Sequence, residues 1–325
     1  MKSHTSPLYV LLVLLTLIVL SPYYMTNAHA QTSPTDLDGV SIAVYYGDPS
    51  SSASSRTALQ LMFEWMNATV DILYASGINN GGLSEYDMVV IPGGWAGTYN
   101  EDLAGSGITE IREFVRDGGS FFGVCAGAYF GCDLIYWEGV AIDYPLGLFA
   151  GNGIGPVEEI AVWPDYAMAE IILNHSSSII DFSGEPANHT VMYYGGPWFD
   201  VSGHEDVHTL ATFAANNQSA MIAFEYEEGR VFLSGPHPEW EEDSNRDNSS
   251  WENGLDDKGS EWNMMLSVAL WLVENHSTTP TTTTSPTTSS SPPPVDYSGV
   301  LMMAIGAAAI TLALLLTVKK RAKNV

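Results

Sequence analysis

The chain has 325 residues, of which 46% are hydrophobic, so it can bury a sizeable core and is not an unstructured polypeptide. Its 38 acidic residues outnumber its 11 Lys and Arg residues, which gives a formal net charge of −27 at pH 7. Such a surface repels nucleic acid and anionic lipid, so we exclude a nucleic-acid-binding protein.

The N-terminus is typical of a secretory signal peptide, which we place at residues 1–30. Lys2 supplies a positive start, residues 8–20 form an apolar run, and residues 28–30 (Ala-His-Ala) match a cleavage site. The alternative is an uncleaved anchor, but the apolar run is short for a membrane span. A short polar leader at residues 31–38 follows.

Strand-like and helix-like segments alternate over the next part of the chain. Buried strands are predicted at residues 39–46, 70–74, 86–91 and 120–124, and helices at residues 57–66 and 108–115. This alternation predicts an α/β fold with a doubly wound, mostly parallel sheet. A functional site is then expected at the carboxyl ends of the strands.

The region between residues 140 and 230 departs from this alternation. Its β-like runs lie at residues 160–163, 191–194, 209–213 and 220–226. They predict a mixed or antiparallel extension of the sheet. A terminal helix at residues 262–274 carries apolar side chains that can cover the sheet.

A cysteine stands where the strand at residues 120–124 meets helix-forming residues. Gly123 and Gly127 lie two residues on either side of Cys125, the spacing of a nucleophile elbow, in which a tight turn holds the nucleophile in a strained conformation. The start of the following helix favours a thiolate over a thiol. The alternative is a buried cysteine between two packing glycines.

A second motif far downstream can complete a catalytic triad. A β-like run ends in a Gly-Pro turn that presents His237, and Glu239 follows two residues later. In such a triad His237 takes the thiol proton of Cys125, while Glu239 fixes the imidazole tautomer.

Glycine-rich turns supply the other candidate site residues. A strand ends at Pro92-Gly93-Gly94, where the backbone can approach a substrate closely. The N–H groups of Gly94, Trp95 and Ala126 are candidates for an oxyanion hole. Further residues are expected to line the substrate cleft: Gly93, Tyr194, Gly195 and Gly196.

The order of these motifs resembles the class I glutamine amidotransferase superfamily. Within it, the chain most resembles the amidotransferase-like domain at the N-terminus of eukaryotic biotin-protein ligases. The narrower resemblance lies in residues 123–129, 148–156, 193–199 and 234–239, and the whole covers about residues 38–276. It implies a flavodoxin-like sandwich with Cys125, His237 and Glu239 as the triad.

Cofactor and metal motifs are weak. Gly151, Gly153 and Gly155 depart from the dinucleotide spacing G-x-G-x-x-G, so we expect a turn that lines the cleft. No Cys/His cluster has zinc spacing, and we predict neither a metal nor a cofactor. The acidic segment 241–261 begins like a calcium loop but lacks its glycine and final glutamate, so a solvated loop is favoured over a calcium site.

The two cysteines are predicted to stay unpaired. Cys125 and Cys132 are seven residues apart along one predicted helix, which places their Cα atoms about 10 Å apart, too far for a disulfide. Cys132 is most simply a small buried residue.

The C-terminal region predicts a membrane anchor. A Thr/Ser/Pro-rich stalk at residues 277–298 precedes an apolar segment at residues 299–318, and a basic tail follows at residues 319–325. We expect a single-pass type I protein of the cell membrane, with the folded domain, residues 39–276, outside the cytoplasm. Six glycosylation sequons fit that location: Asn67, Asn174, Asn188, Asn217, Asn248 and Asn275.

Two functions stay open at this point. The complete triad favours a cysteine-dependent amide hydrolase with a small amide or peptide ligand. The anchored architecture and the aromatic residues beside the cleft favour a non-catalytic binding module with a relic triad. We expect neither glutamine amidotransfer nor biotinylation, because no synthetase domain and no biotin-ligase catalytic region is recognisable. The oligomeric state is not predicted.

Overall fold

The computed structural model describes residues 36–47, 51–103, 105–241, 246–250, 255 and 259–274. The predicted signal peptide, stalk, membrane span and basic tail lie outside these residues, as do most of the leader and Asn275. Within the described ranges, no helix has both the length and the apolar character needed to cross a bilayer. The other five sequon asparagines are all exposed, and their glycosylation stays a prediction.

The described residues form thirteen strands in one sheet. In chain order they are β1 (Ser41–Tyr46), β2 (Thr69–Tyr74), β3 (Met88–Ile91), β4 (Ser120–Val124), β5 (Cys132–Trp137), β6 (Val140–Asp143), β7 (Phe149–Gly155), β8 (Ala167–Leu173), β9 (Asn188–Tyr193), β10 (Trp198–Asp200), β11 (His208–Phe213), β12 (Ser219–Tyr226) and β13 (Gly229–Ser234).

Helices lie between and after these strands. They are α1 (Ala53–Trp65), α2 (Ala75–Asn79), α3 (Ala96–Asp102), α4 (Ser106–Arg116), α5 (Ala126–Gly131) and α6 (Trp262–Val273). The predicted helices at residues 57–66, 108–115 and 262–274 correspond to α1, α4 and α6.

The sheet has a parallel core and a mixed extension. Its core runs in the order β2-β1-β3-β4-β13, and each neighbouring pair in this part is parallel. Beyond β13 the order continues β12-β10-β7-β5-β6, mostly through antiparallel pairs, and β11 connects β12 to β8 and β9. The predicted α/β fold with a mixed extension is confirmed.

Alternation along the strands builds a core on each face of the sheet. In β1, Ile42 and Val44 join the apolar cluster that includes residues of α1 and α6, whereas Ala43 and Tyr45 join the cluster on the other face. That second cluster takes up the apolar stripe of α4. Successive strand residues point to opposite faces, so each central strand supplies both cores.

Two segments differ from the sequence prediction. Residues 160–163, predicted as a β-like run, form no strand, because the N–H groups of Ile160 and Ala161 donate to the Val157 carbonyl in a turn, at 3.0 and 3.2 Å, and are not available to a sheet. Gly151, Gly153 and Gly155 lie within strand β7 and not in a turn, and none of the three lines the cleft.

The second cysteine is also placed differently. Helix α5 ends at Gly131, so Cys132 opens β5 and does not share a helix with Cys125. Both cysteines are free and buried. Burial raises the pKa of the Cys132 thiol well above its usual range, as expected for a structural residue.

The described part of the acidic segment 241–261 is solvated only in part: Glu241, Asp247, Ser249 and Glu261 are buried, whereas residues 248, 250 and 259 are exposed. Asp247 is fully buried, and its carboxylate accepts hydrogen bonds from the backbone N–H groups of Glu241, at 3.0 Å, and Ser249, at 2.9 Å. These bonds satisfy a carboxylate that solvent no longer reaches.

Three neighbouring strands of the parallel core bring distant motifs together. Strand β4 lies between β3 and β13, with Gly123 paired to Ile91 and Val124 paired to Ser234. The Pro92-Gly93-Gly94 turn, Cys125 and the His237 segment follow directly after the carboxyl ends of these three strands.

Replacing Gly127 with alanine should destabilise the fold, although alanine normally favours a helix. A Cβ atom at Gly127 would lie 2.0 Å from the Ile91 carbonyl oxygen, so α5 cannot keep its distance from β3. We expect Gly127→Ala to lower the free energy of unfolding by about 1 to 3 kcal/mol in urea titrations.

Gly184→Ala is the matched control, because a Cβ atom there meets nothing within 4 Å. It should change the free energy of unfolding by less than about 0.5 kcal/mol. Equal stability of the Gly127→Ala variant and the unmodified protein would contradict the close approach of α5 and β3.

Candidate active site

Cys125 occupies a strained turn between β4 and α5. Its backbone has φ 51° and ψ −104°, outside the regions that a non-glycine residue normally adopts. The Cys125 N–H donates to the Ser234 carbonyl at 2.8 Å, and the Cys125 carbonyl accepts from the Tyr129 N–H at 2.9 Å. These bonds, one to β13 and one to α5, hold the turn in place.

The thiol of Cys125 faces the cleft although the residue is only 7% exposed. Its Sγ atom lies 3.5 Å from the carbonyl oxygen of Tyr194, to which the S–H group donates. The Tyr194 carbonyl therefore orients the Cys125 side chain while the sulfur carries its proton.

His237 is held on three sides. Its backbone N–H donates to the Met192 carbonyl at 2.8 Å, and its Nδ1 atom lies 2.8 Å from Oε1 of Glu239. The imidazole stacks on the Trp240 ring, with 4.0 Å between the centroids and 16° between the planes. The ring is fixed before any ligand binds.

A serine completes the hydrogen-bond chain behind Glu239. The Ser55 hydroxyl donates to Oε1 of Glu239 at 2.6 Å and accepts from the N–H of Gly93 at 2.9 Å. Ser55 was not among the site residues predicted from the sequence. The available signal was position: Ser55 shares the buried face of α1 with Leu59 and Met62.

The environment of His237 favours the charged imidazolium. Burial lowers the pKa of His237, but the Glu239 carboxylate and Cys125 outweigh it and raise that pKa to about 10. The imidazole therefore carries a proton at neutral pH.

The second imidazole nitrogen is free to act. Nδ1 of His237 is committed to Glu239, whereas Nε2 is buried and has no well-aligned hydrogen-bond partner among the described residues, although the imidazole lies close enough to the Cys125 side chain to interact with it. In this orientation Nε2 is the nitrogen that can exchange a proton with a thiol or a leaving group.

Two predicted cleft residues lie behind the cleft and do not line it. A Cβ atom at Gly93 would lie 2.6 Å from Cε1 of His237, so Gly93 packs directly against the imidazole. A Cβ atom at Gly196 would lie 1.9 Å from the Gly235 carbonyl oxygen. Both glycines permit close backbone packing, and neither lines the cleft.

The other predicted site residues do line it. Gly94, Trp95, Ala126, Tyr194 and Gly195 all face the cleft together with Cys125 and His237. Of the backbone donors that begin α5, the Gly127 N–H is taken by the Pro92 carbonyl at 3.2 Å. The Ala126 N–H has no backbone acceptor among the described residues, so it can serve a ligand oxygen.

Three buried tyrosines, which sequence analysis missed, hold the loops of the site. Tyr99 donates to the carbonyls of Pro92, at 3.1 Å, and Gly93, at 2.9 Å. Tyr129 donates to the Gly195 carbonyl at 3.2 Å, and Tyr193 donates to the Gly196 carbonyl at 2.8 Å. Burial raises the pKa of all three phenols, so they remain donors at physiological pH.

The cleft has a volume of about 710 Å³ and is rich in aromatic side chains. Neither Lys nor Arg is among its described lining residues. Its aromatic members are Trp95, Tyr129, Trp137, Tyr144, Trp163, Tyr166, Tyr194 and Trp240. Nowhere in the described part of the chain do three or more His, Cys, Asp or Glu side chains form a group able to hold a metal ion.

The chain matches a known protein family over most of its described residues. The family model described as biotin-protein ligase, N terminal, matches residues 40–269. An uncharacterized protein of Chlamydia muridarum is 33% identical over 163 residues, which cover 47% of this chain and 60% of that protein. A biotin–protein ligase of Schizosaccharomyces pombe is 25% identical over 224 residues, covering 62% of this chain and 33% of the ligase.

Among solved structures, one described as a glutamine amidotransferase has a TM-score of 0.46 and 16% identity, and the match covers 61% of this chain and 90% of that one. The chain spans 60% or less of the length of the two curated relatives. The family match extends over most of the described domain and includes every predicted site residue. The chain therefore belongs to the family of the biotin-protein ligase N-terminal domain.

Proposed function

We propose that the protein is a cysteine-dependent hydrolase of C–N amide bonds. The observation that carries this proposal is the buried chain from Ser55 through Glu239 to His237, whose imidazole interacts with Cys125, a cysteine in a strained elbow that lines the same cleft. A carboxylate that fixes one imidazole nitrogen and leaves the other free is the arrangement that activates a nucleophile.

In the first half of the reaction, the Cys125 thiolate attacks the carbonyl carbon of the amide. The developing oxyanion accepts hydrogen bonds from the Ala126 and Gly94 N–H groups, with Trp95 as a further donor. His237 gives its Nε2 proton to the leaving nitrogen as the C–N bond breaks. The amine departs and the acyl group remains on sulfur as a thioester.

In the second half, water attacks the thioester. His237, now neutral, takes a proton from the water, and the C–S bond breaks to release the carboxylic acid and the thiolate. The raised pKa of His237 supports this cycle, since the proton rests on the imidazole when the thiolate forms.

A non-catalytic binding module is the alternative. One observation favours it: the Cys125 thiol hydrogen bonds to the Tyr194 carbonyl, and Nε2 of His237 has no hydrogen-bond partner among the described residues. Catalytic hydrogen bonds are often loose before a substrate binds, so this observation leaves the hydrolase as the preferred function.

The cellular setting is part of the same proposal. The composition of residues 1–30 and 299–325 supports a secreted domain anchored by one C-terminal span, with the cleft outside the cytoplasm. Biotin ligation belongs to the longer relative, of which this chain spans only 33%.

Replacing Cys125 with alanine should abolish amide turnover, because no other group can form the thioester. The assay is release of amine from a panel of γ-glutamyl, simple amide and peptide substrates. Cys132→Ala is the matched control, since Cys132 is fully buried and does not line the cleft, and it should retain turnover. Stoichiometric labelling of Cys125 without turnover of any substrate would contradict the hydrolase.

Replacing Ser55 with alanine should lower kcat by about ten- to hundredfold, because it removes a hydrogen bond to a buried carboxylate. Because Ser55 is a positioning residue that acts through Glu239, the substitution should both lower kcat and shift its pH profile. Ser120→Ala removes a buried hydroxyl at the opposite end of β4 and should cost stability without moving that profile. Identical pH profiles for Ser55→Ala and the unmodified protein would contradict this role.

A further inference from the structure

One wall of the cleft is built from aromatic side chains that meet from separate parts of the chain. Trp95 follows β3, Trp137 ends β5, Trp163 lies in the proline-bracketed turns after β7, Tyr194 follows β9, and Tyr166 precedes β8. Together these five residues form a surface that we call the aromatic wall.

The rings contact one another closely. The ring centroid of Trp95 lies 6.0 Å from that of Trp137 and 6.4 Å from that of Trp163, and the Trp137 and Trp163 centroids are 5.4 Å apart. Tyr194 stacks on Trp163 with 5.1 Å between centroids, and Tyr166 meets Tyr194 edge-on at 5.7 Å. The wall is therefore a preformed surface, assembled before a ligand arrives.

Part of this wall is open to solvent. Trp95 is 54% exposed and Tyr166 is 42% exposed, whereas a core function would bury them. Large apolar surface of this kind is costly in water and commonly marks a binding site.

Apart from the His237 imidazolium, the charged side chains among the described lining residues of the cleft are acidic. Glu101 and Asp143 line the same cleft, and both residues are exposed. The described lining supplies no Lys or Arg, so His237 is the cationic side chain among the described lining residues. Carboxylates beside aromatic faces attract a positive charge.

We propose that the aromatic wall binds an organic cation, such as an alkylammonium group, carried by the substrate of Cys125. Aromatic faces bind such a group through cation–π attraction, and Glu101 and Asp143 add charge complementarity. This assignment rests on the proposed hydrolase for the position of the scissile amide.

Binding is tested without turnover in the Cys125→Ser variant of the whole chain. The probes are choline, tetramethylammonium and 3,3-dimethyl-1-butanol, the last being a neutral molecule with the shape of choline. Tryptophan fluorescence and calorimetry report binding. We expect choline to bind at least about tenfold more tightly than the neutral alcohol, and to weaken as salt increases.

Substitutions locate the site. Trp95→Leu should weaken choline binding by about tenfold, and Asp143→Asn should weaken it severalfold and reduce its salt dependence. Trp65→Leu is the matched control, because Trp65 is 44% exposed and does not line the cleft. It should leave binding unchanged.

The outcomes separate the two proposals. Equal binding of choline and the neutral alcohol, absence of choline binding, or equal loss in Trp65→Leu and Trp95→Leu would overturn the cation site. Turnover of uncharged amides as efficiently as cationic ones would also overturn it while leaving the hydrolase intact. Choline binding at the wall without turnover of any amide would support the cation site and contradict the hydrolase alone.

Discussion

The arrangement of the site depends on one buried carboxylate. Glu239 is completely excluded from solvent, and its Oε1 atom receives both the Ser55 hydroxyl and Nδ1 of His237. A buried carboxylate is costly unless it is hydrogen-bonded, so the two donors and the acceptor hold one another in place. The same interaction raises the pKa of His237 and thereby determines the protonation state of the imidazole beside Cys125.

The sheet can bring Cys125, His237 and Glu239 together because the loops at its edge approach one another closely at glycines, which have no side chain. Gly93 lies against the imidazole, Gly127 lies against the end of β3, and Gly196 lies against Gly235. Buried tyrosine hydroxyls then fix the loop carbonyls. The parallel core thus supplies rigid supports, and the glycine turns supply the short distances that the proposed chemistry requires.

Local patterns predicted the parts of this structure that local chemistry determines. The strand-helix alternation gave the parallel core, and the small residues around Cys125 gave the elbow. Ser55 escaped notice because its role comes from the packing of α1 against the Glu239 segment, 184 residues away. Trp163 lies in a run with strand-like composition, but the N–H groups of Ile160 and Ala161 bond to the Val157 carbonyl in a turn. Only the folded chain brings the Trp163 ring next to Trp137.

The most direct test of the account is the pH dependence of Cys125 alkylation by iodoacetamide, compared between the Cys132→Ala protein and the same protein carrying His237→Gln. Because the pKa of His237 is raised to about 10, the imidazolium persists at neutral pH and favours the thiolate. Alkylation should therefore be faster with His237 present between pH 6 and 8, and this advantage should disappear near pH 10, where a thiol without an imidazolium partner is ionised as well. Superimposable pH profiles for the two proteins would contradict a coupled Cys125–His237 pair.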